Sequence, residues 1–561
     1  MTKEIKLPFD LELPQAQILK AGMLTCLYDT GNLRYICLNR TELVRKIYGA
    51  VRDEQWTTMP YEIQDEIVAA DATGFVITYT AIYGDKIKLY KADYIIEGKP
   101  DNTISFSMKG TALAGFKRNR IGLCLHHPLK ECYGRAVKVT RPDGPMYHSV
   151  FPVLVSPSLL FLEIHQLEWI TEDRIRVKQI FEGDVFDTED QRNWSDSSYK
   201  TYSTRSNLPI PVDVVAGETI EQRITLEVSG NGNTGTTESS TDKSEIKIPF
   251  PQIGYGKSAG SVPINSEVIE WLIKIPFDHY RVTITMNQTN WHSQLQEALK
   301  EASLINTRLE LVVFFSHDYK NEIVQLTDRL KEKQLLVRSI LVLQLTHNVS
   351  PGEVLEYVYP FIKARLPAVK TGYGTNAIFV DVNQHRPAGV VYDFISFGIH
   401  PQAHAFDNRS ILENLSGQPD MMKTAMKIAT GQPVFISPVT LKDTHSDPDK
   451  RQHAFFTALW TLLTLQNFSE AYSITFFELF GAAGILSAEK QESELTVTIK
   501  PSPVYGVLAT IFDFNPVWVI KRFLGDALLM DGLLLEDENG NRLFFEAPEE
   551  YKHSHGWRSL R

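Results

Sequence analysis

Three groups of polar residues have the types and spacing to do chemistry. The densest is the run FEGDVFDTEDQRNWSDSSYKTY from Phe181 to Tyr202. It sets six carboxylates (Glu182, Asp184, Asp187, Glu189, Asp190, Asp196), two cations (Arg192, Lys200) and the amide of Asn193 among aromatic residues. Nothing in solvent rewards interleaving aromatics with charge, whereas a site gripping a small polyhydroxylated molecule needs acceptors, donors and apolar walls together. Glu189, Asp190, Arg192 and Asn193 are therefore candidate substrate-binding residues. Glu189 would orient the Arg192 guanidinium, a planar fork of donors suited to a polarised carbonyl or a carboxylate. An internally salt-bridged turn without a ligand is the alternative.

The other two groups follow short apolar runs, and a lone carboxylate stands near the end of a third. Asn383-Gln384-His385-Arg386 comes after NAIFVDV, His400-Pro401-Gln402-Ala403-His404 with Asp407 comes after YDFISFGI, and Glu478 lies near the end of SITFFEL. Glu478 is the candidate general base. His400 and His404 are candidates to stabilise an oxyanion or protonate a leaving alkoxide, or else simply to cap backbone carbonyls. Asn383, Gln384 and Asp407 are candidates to hold substrate hydroxyls.

These groups need elements to carry them. Residues 1 to about 228 read as strands: RYICL, GFVITYTAIYG, KIKLYKADYII, TISFSMKG, RIRVKQIFEGDVF and ITLEV alternate or carry β-branched runs between turn residues. That pattern predicts an N-terminal β-sandwich over 1–262, ending in the linker-like run SGNGNTGTTESSTDKS. From 263 to 512, apolar runs alternate with amphipathic helices such as SQLQEALKEAS and HAFFTALWTLLTLQNF. Repeated strand-helix alternation predicts a central (β/α)8 barrel of TIM type, resembling glycosidase barrels. Seven strands are legible (281–286, 309–315, 338–345, 376–382, 392–399, 433–439, 473–479), and the eighth is sought near Val504 to Phe512. The chain after 513, with an Asn-Gly turn in LLLEDENGNRLFFEAPEE, predicts a small C-terminal β-appendage. A doubly wound open sheet is the competing architecture, weakened by the lack of a GxGxxG after the first strand.

Composition narrows the partners. The 561 residues are 43% hydrophobic and 22% charged, with a net charge of −11 and no basic stretch that could line a nucleic-acid groove. The charged, proline-broken start MTKEIKLPFDLELPQ has no secretory apolar core, and no run of about 18 apolar residues occurs, so a cytoplasmic protein without a membrane is expected. Cys26, Cys37, Cys124 and Cys132 form neither CxxC pairs nor a zinc spacing. Adjacent His126 and His127 on a strand point to opposite faces, so no metal and no cofactor is assigned.

At barrel strand ends the candidate residues face the usual catalytic mouth. Many retaining glycosidases of this type carry Asn-Glu after strand four and a second Glu at strand seven. Numbered on the seven legible strands, Glu478 matches the second, but Gln384 stands where the acid would be. A neutral amide cannot protonate a glycosidic oxygen, and that reaction needs two carboxyl groups. One carboxylate base with polar stabilisers still suits water attack on an ester or lactone.

The long run, together with LHHPLKECYGR (125–135), FGIHPQAHAFDN (397–408) and FFELFGAAG (476–484), resembles the D-apionate lactonase family of bacterial apiose catabolism. The resemblance covers the whole chain. It implies a carboxylic ester hydrolase that opens the sugar lactone D-apionolactone to D-apionate, with sandwich, barrel and C-terminal domain in that order. The expected partner is a small-molecule sugar lactone, and the oligomeric state, a homo-oligomer included, is open. A glycoside hydrolase using an unconventional acid and a non-catalytic carbohydrate-binding protein are the other two readings.

Overall fold

The computed structural model describes residues 2–13, 15–230, 242–258, 264, 266–444, 446–490 and 497–554. Most of the run expected as a linker, residues 231–241, lies outside them. The described chain falls into two compact units.

One unit is built mainly from Glu12–Arg192 and Ser197–Ser239. It is a sandwich of two nine-stranded sheets. Strands such as Phe75–Tyr83 and Tyr90–Gly98 bury alternate residues, as period-two patterning requires. Their inward side chains, Ile77, Tyr94, Phe106 and Leu226 among them, share one core with Ile36, Ile47 and Leu123 of the other sheet.

The second unit comprises Met1–Leu11, Asn193–Asp196 and Ser240–Lys552. Eight parallel strands close into a barrel: Gln252–Gly256, His279–Thr285, Arg308–Phe315, Val337–Gln344, Lys370–Ile378, Phe394–Ile399, Val434–Val439 and Ser473–Phe480, with the first pairing the last. The eighth strand missing from the sequence reading is therefore the first of the barrel. Its five residues, QIGYG, carry two glycines, which depress any strand signal. Geometry demands at least one of them: a Cβ at Gly254 would stand 2.2 Å from the His279 imidazole.

Residues near 504–512, expected as that strand, form the helix Pro503–Phe514, capped by Ser502, whose hydroxyl accepts from the Tyr505 amide. A continuous apolar run cannot tell strand from buried helix. Likewise NAIFVDV straddles two elements, the strand Lys370–Ile378 and the helix Phe379–Gln384. Glu478 thus sits on strand eight, and Gln384 follows strand five, so the match to glycosidase strands four and seven does not hold.

The C-terminal hairpin Gly532–Glu536 and Arg542–Glu546 turns through Gly540 at φ +78°. Its sheet also takes in Thr2–Lys6 and Lys243–Pro249, two segments that the sequence reading placed with the sandwich. Among the described residues, no helix is long and apolar enough to cross a membrane.

Candidate active site

Two adjoining hollows open at the carboxyl ends of the barrel strands. One, of about 350 Å³, lies at the ends of strands one, seven and eight and is bordered by Ser258, Asp443 and Glu478. The other, of about 270 Å³, lies at the ends of strands five, six and seven and is bordered by Asn376, His400 and Pro438. Both share Thr440, Asp443 and Thr444 of the loop after strand seven.

A backbone irregularity aims Glu478 into this space. Phe477 adopts φ +47°, a left-handed conformation unusual for a bulky residue. There the register slips: Gly254 pairs with Thr475, but Gly256 pairs with Glu478, so three residues of strand eight match two of strand one. The extra residue is a β-bulge. It returns Glu478 to the face of Thr475, whose hydroxyl lies 2.8 Å from His279 Nε2 inside the barrel. Without the bulge, alternation would point Glu478 outward.

Burial raises the Glu478 carboxyl above its ordinary value, and the polar Ser258 hydroxyl beside it partly opposes this. Ser258 is itself fixed by the strand-eight backbone, donating to the Phe480 carbonyl at 2.5 Å and accepting from its amide at 2.9 Å. Burial lowers His400, against the pull of Asp443, which leaves the imidazole neutral near neutral pH. Its Nδ1 is buried without a hydrogen-bond partner among the described residues.

The other sequence candidates scatter. His404 Nδ1 lies 2.5 Å from Asp196 Oδ2, and Asp196 Oδ1 accepts from Asn414 at 2.8 Å, while the Trp194 ring meets His404 edge-on. His404 borders neither hollow. Asn193 and Asn383 are both buried and bond each other, Asn383 Nδ2 donating to Asn193 Oδ1 at 2.8 Å. Asp407 caps the helix Asn408–Asn414 by accepting from the Ser410 amide. Gln384 is exposed at the end of its short helix.

Glu189, Asp190 and Arg192 belong to the sandwich unit. Arg192 is 0% exposed. Its guanidinium donates to Asp190 Oδ1 and Oδ2 at 2.9 and 2.7 Å and to the carbonyls of Pro152 and Val153. That is the internally salt-bridged turn that the sequence left as the alternative, with the fork of donors taken up by the protein itself. Glu189 bonds Gln191 at 2.7 Å and pairs with Lys200 at 3.3 Å rather than with Arg192.

Sequence reasoning missed Ser258, Arg281, Asn376 and Asp443. Arg281 left a trace, a charge inside the apolar run RVTITM. Ser258 was hidden because the strand before it, Gln252–Gly256, was not recognised, and Asn376 because it read as the start of a strand over 376–382 when it lies near the end of Lys370–Ile378. Among the described residues, no group of three or more His, Cys, Asp or Glu is placed to hold a metal ion.

Comparison with known proteins adds an independent line. Residues 8–231 match the model of the D-apionate lactonase N-terminal domain, and residues 253–515 match that of the D-apionate lactonase TIM barrel domain. A D-apionate lactonase of Brucella anthropi is 27% identical over 443 residues, covering 75% of this chain and 72% of that protein. Among solved structures, a Ruminococcus gnavus β-glucuronidase covers 81% of this chain and 68% of its own at 8% identity and a TM-score of 0.31. A GalM/aldose epimerase homologue from C. elegans covers 38% and 99% at 11% identity and a TM-score of 0.25. At those scores neither structure bears on the argument. Both family models fit in chain order, one over the sandwich and one over the barrel, and the chain belongs to the D-apionate lactonase family.

Proposed function

We propose that this chain, a lactone hydrolase by family, opens D-apionolactone to D-apionate, with Glu478 as general base. One observation carries the role of Glu478: it is a half-buried carboxylate at the barrel mouth whose basicity burial raises, bordering a hollow of about 350 Å³. A base works best when its pKa approaches the working pH. Glu478 takes a proton from water as the water oxygen bonds to the lactone carbonyl carbon. The carbonyl electron pair moves onto oxygen. When the oxyanion collapses, the bond from the acyl carbon to the ring oxygen breaks, and protonated Glu478 returns its proton to the leaving alkoxide. The product acid then loses its proton to solvent.

A neutral His400 fits a hydrogen-bonding role at the second hollow, not delivery of a proton as imidazolium. His404, tied to Asp196, is a positioning residue that fixes the loop after strand six. Purified protein given D-apionolactone and an aryl glycoside side by side tests the reading. Lactone opening, followed as acid release, with no aryl glycoside cleavage is the expected result. Glycoside cleavage, or no lactone turnover, overturns it.

A further inference from the structure

Arg281 and Asn376 meet inside the barrel. They stand on strands two and five, which are not neighbours, so the bond between Arg281 Nη2 and Asn376 Oδ1 crosses the lumen. Arginine has donors and no acceptor. The Asn376 atom facing it is therefore the carbonyl oxygen, and the amide NH₂ is turned the other way. Asn376 borders the His400 hollow. Its Nδ2 has no partner among the described residues.

Arg281 is held to hold that amide. It is 9% exposed, and its Nε lies 4.0 Å from Glu310 Oε1. Glu310 is fixed from the far side of the barrel by the Ser437 hydroxyl at 2.5 Å. Burial brings the guanidinium down to about 10, so it remains a cation at neutral pH. A cation on the carbonyl oxygen of an amide draws electron density from its nitrogen and strengthens the N–H as a donor.

The same layer carries the base. Gly256 is in register with Arg281 on one side and with Glu478 on the other. Strands lie about 4.8 Å apart, so the Glu478 and Arg281 backbones are separated by two strand spacings, roughly 10 Å, with no side chain between them. We infer that Asn376, oriented and polarised by Arg281, donates its amide N–H to the lactone carbonyl oxygen and holds the oxyanion while Glu478 activates water from the opposite wall. The inference rests on the lactonase reading and adds to it a specific oxyanion donor and a positioning residue, Arg281.

Asn376→Asp tests it in the full chain. The aspartate keeps the acceptor for Arg281, and so the fold, but offers no N–H and adds a negative charge. With D-apionolactone, kcat is expected to fall about 10²–10³-fold, the usual loss for one oxyanion donor, with KM within about threefold. Inhibition by the carboxylate product D-apionate should weaken at least about tenfold, while inhibition by the neutral polyol apiitol stays unchanged. Asn376→Ala, checked for a wild-type melting curve, should lose kcat to a similar degree, and Arg281→Lys should retain part of it. Wild-type protein that opens the lactone, together with an Asn376→Asp variant within about threefold of its kcat, overturns this inference alone. Wild-type protein that opens no lactone overturns the proposed function and the inference with it.

Discussion

Replacing Glu478 with Gln removes the proton acceptor while keeping the shape of the side chain. General-base catalysis contributes about 10²–10⁴-fold, and a decade of rate corresponds to about 1.36 kcal/mol, so Glu478→Gln should raise the barrier by about 2.7–5.4 kcal/mol. The structure also fixes the pH dependence. The base must be ionised, and burial displaces its titration upward from 4.5. In the wild type, kcat/KM should therefore rise with pH through an inflection above the ordinary glutamate value, and the residual rate of Glu478→Gln should lack that inflection. Ser258 opposes the shift, so Ser258→Ala should move the inflection further up. Stability supplies the control. A carboxyl whose folded pKa is raised favours folding below its unfolded pKa, and that benefit is lost as pH rises through the folded value. Glu478→Gln should accordingly be at least as stable as wild type at pH 8 and equal to it at pH 4, by urea unfolding. Steady-state rates from pH 4 to 9 on both variants complete the test. A Glu478→Gln enzyme with wild-type turnover, or an inflection unmoved in Ser258→Ala, would refute the assignment.

Two further substitutions separate structure from chemistry. Arg192→Ala removes the guanidinium from the buried Asp190 carboxylate, which keeps the Ser156 amide as a donor, and should cost about 3–5 kcal/mol of unfolding free energy, read as a lowered urea midpoint. A stable Arg192→Ala protein that has lost only turnover would instead return Arg192 to the active site. Asp407→Ala removes a helix cap and should cost about 1 kcal/mol in the same measurement while leaving KM for the lactone within about twofold of wild type; a large rise in KM would make Asp407 a substrate ligand.

The sequence by itself determined the period of each element. Alternation in GFVITYTAIYG and TISFSMKG specified sandwich strands, strand-helix repetition after residue 263 specified a parallel barrel, and the Asn-Gly turn specified the final hairpin, because each signal is written in residues close along the chain. The family resemblance was legible for a similar reason, resting on contiguous runs. What only the tertiary structure decided depends on residues far apart. The glycine-rich strand Gln252–Gly256 exists because strands two and eight flank it, and locating it changed the numbering of every later strand. Glu478 points inward because a single left-handed residue, Phe477, shifts the register against that strand. Arg192 looked like a ligand donor in a charged run, but carbonyls 38 to 40 residues away take up its guanidinium. Arg281 and Asn376 are 95 residues apart and meet only across the closed lumen. Local pattern fixes which face of an element is apolar; barrel closure decides which polar groups then share that interior, since a buried donor or charge must find its partner wherever the fold has brought one.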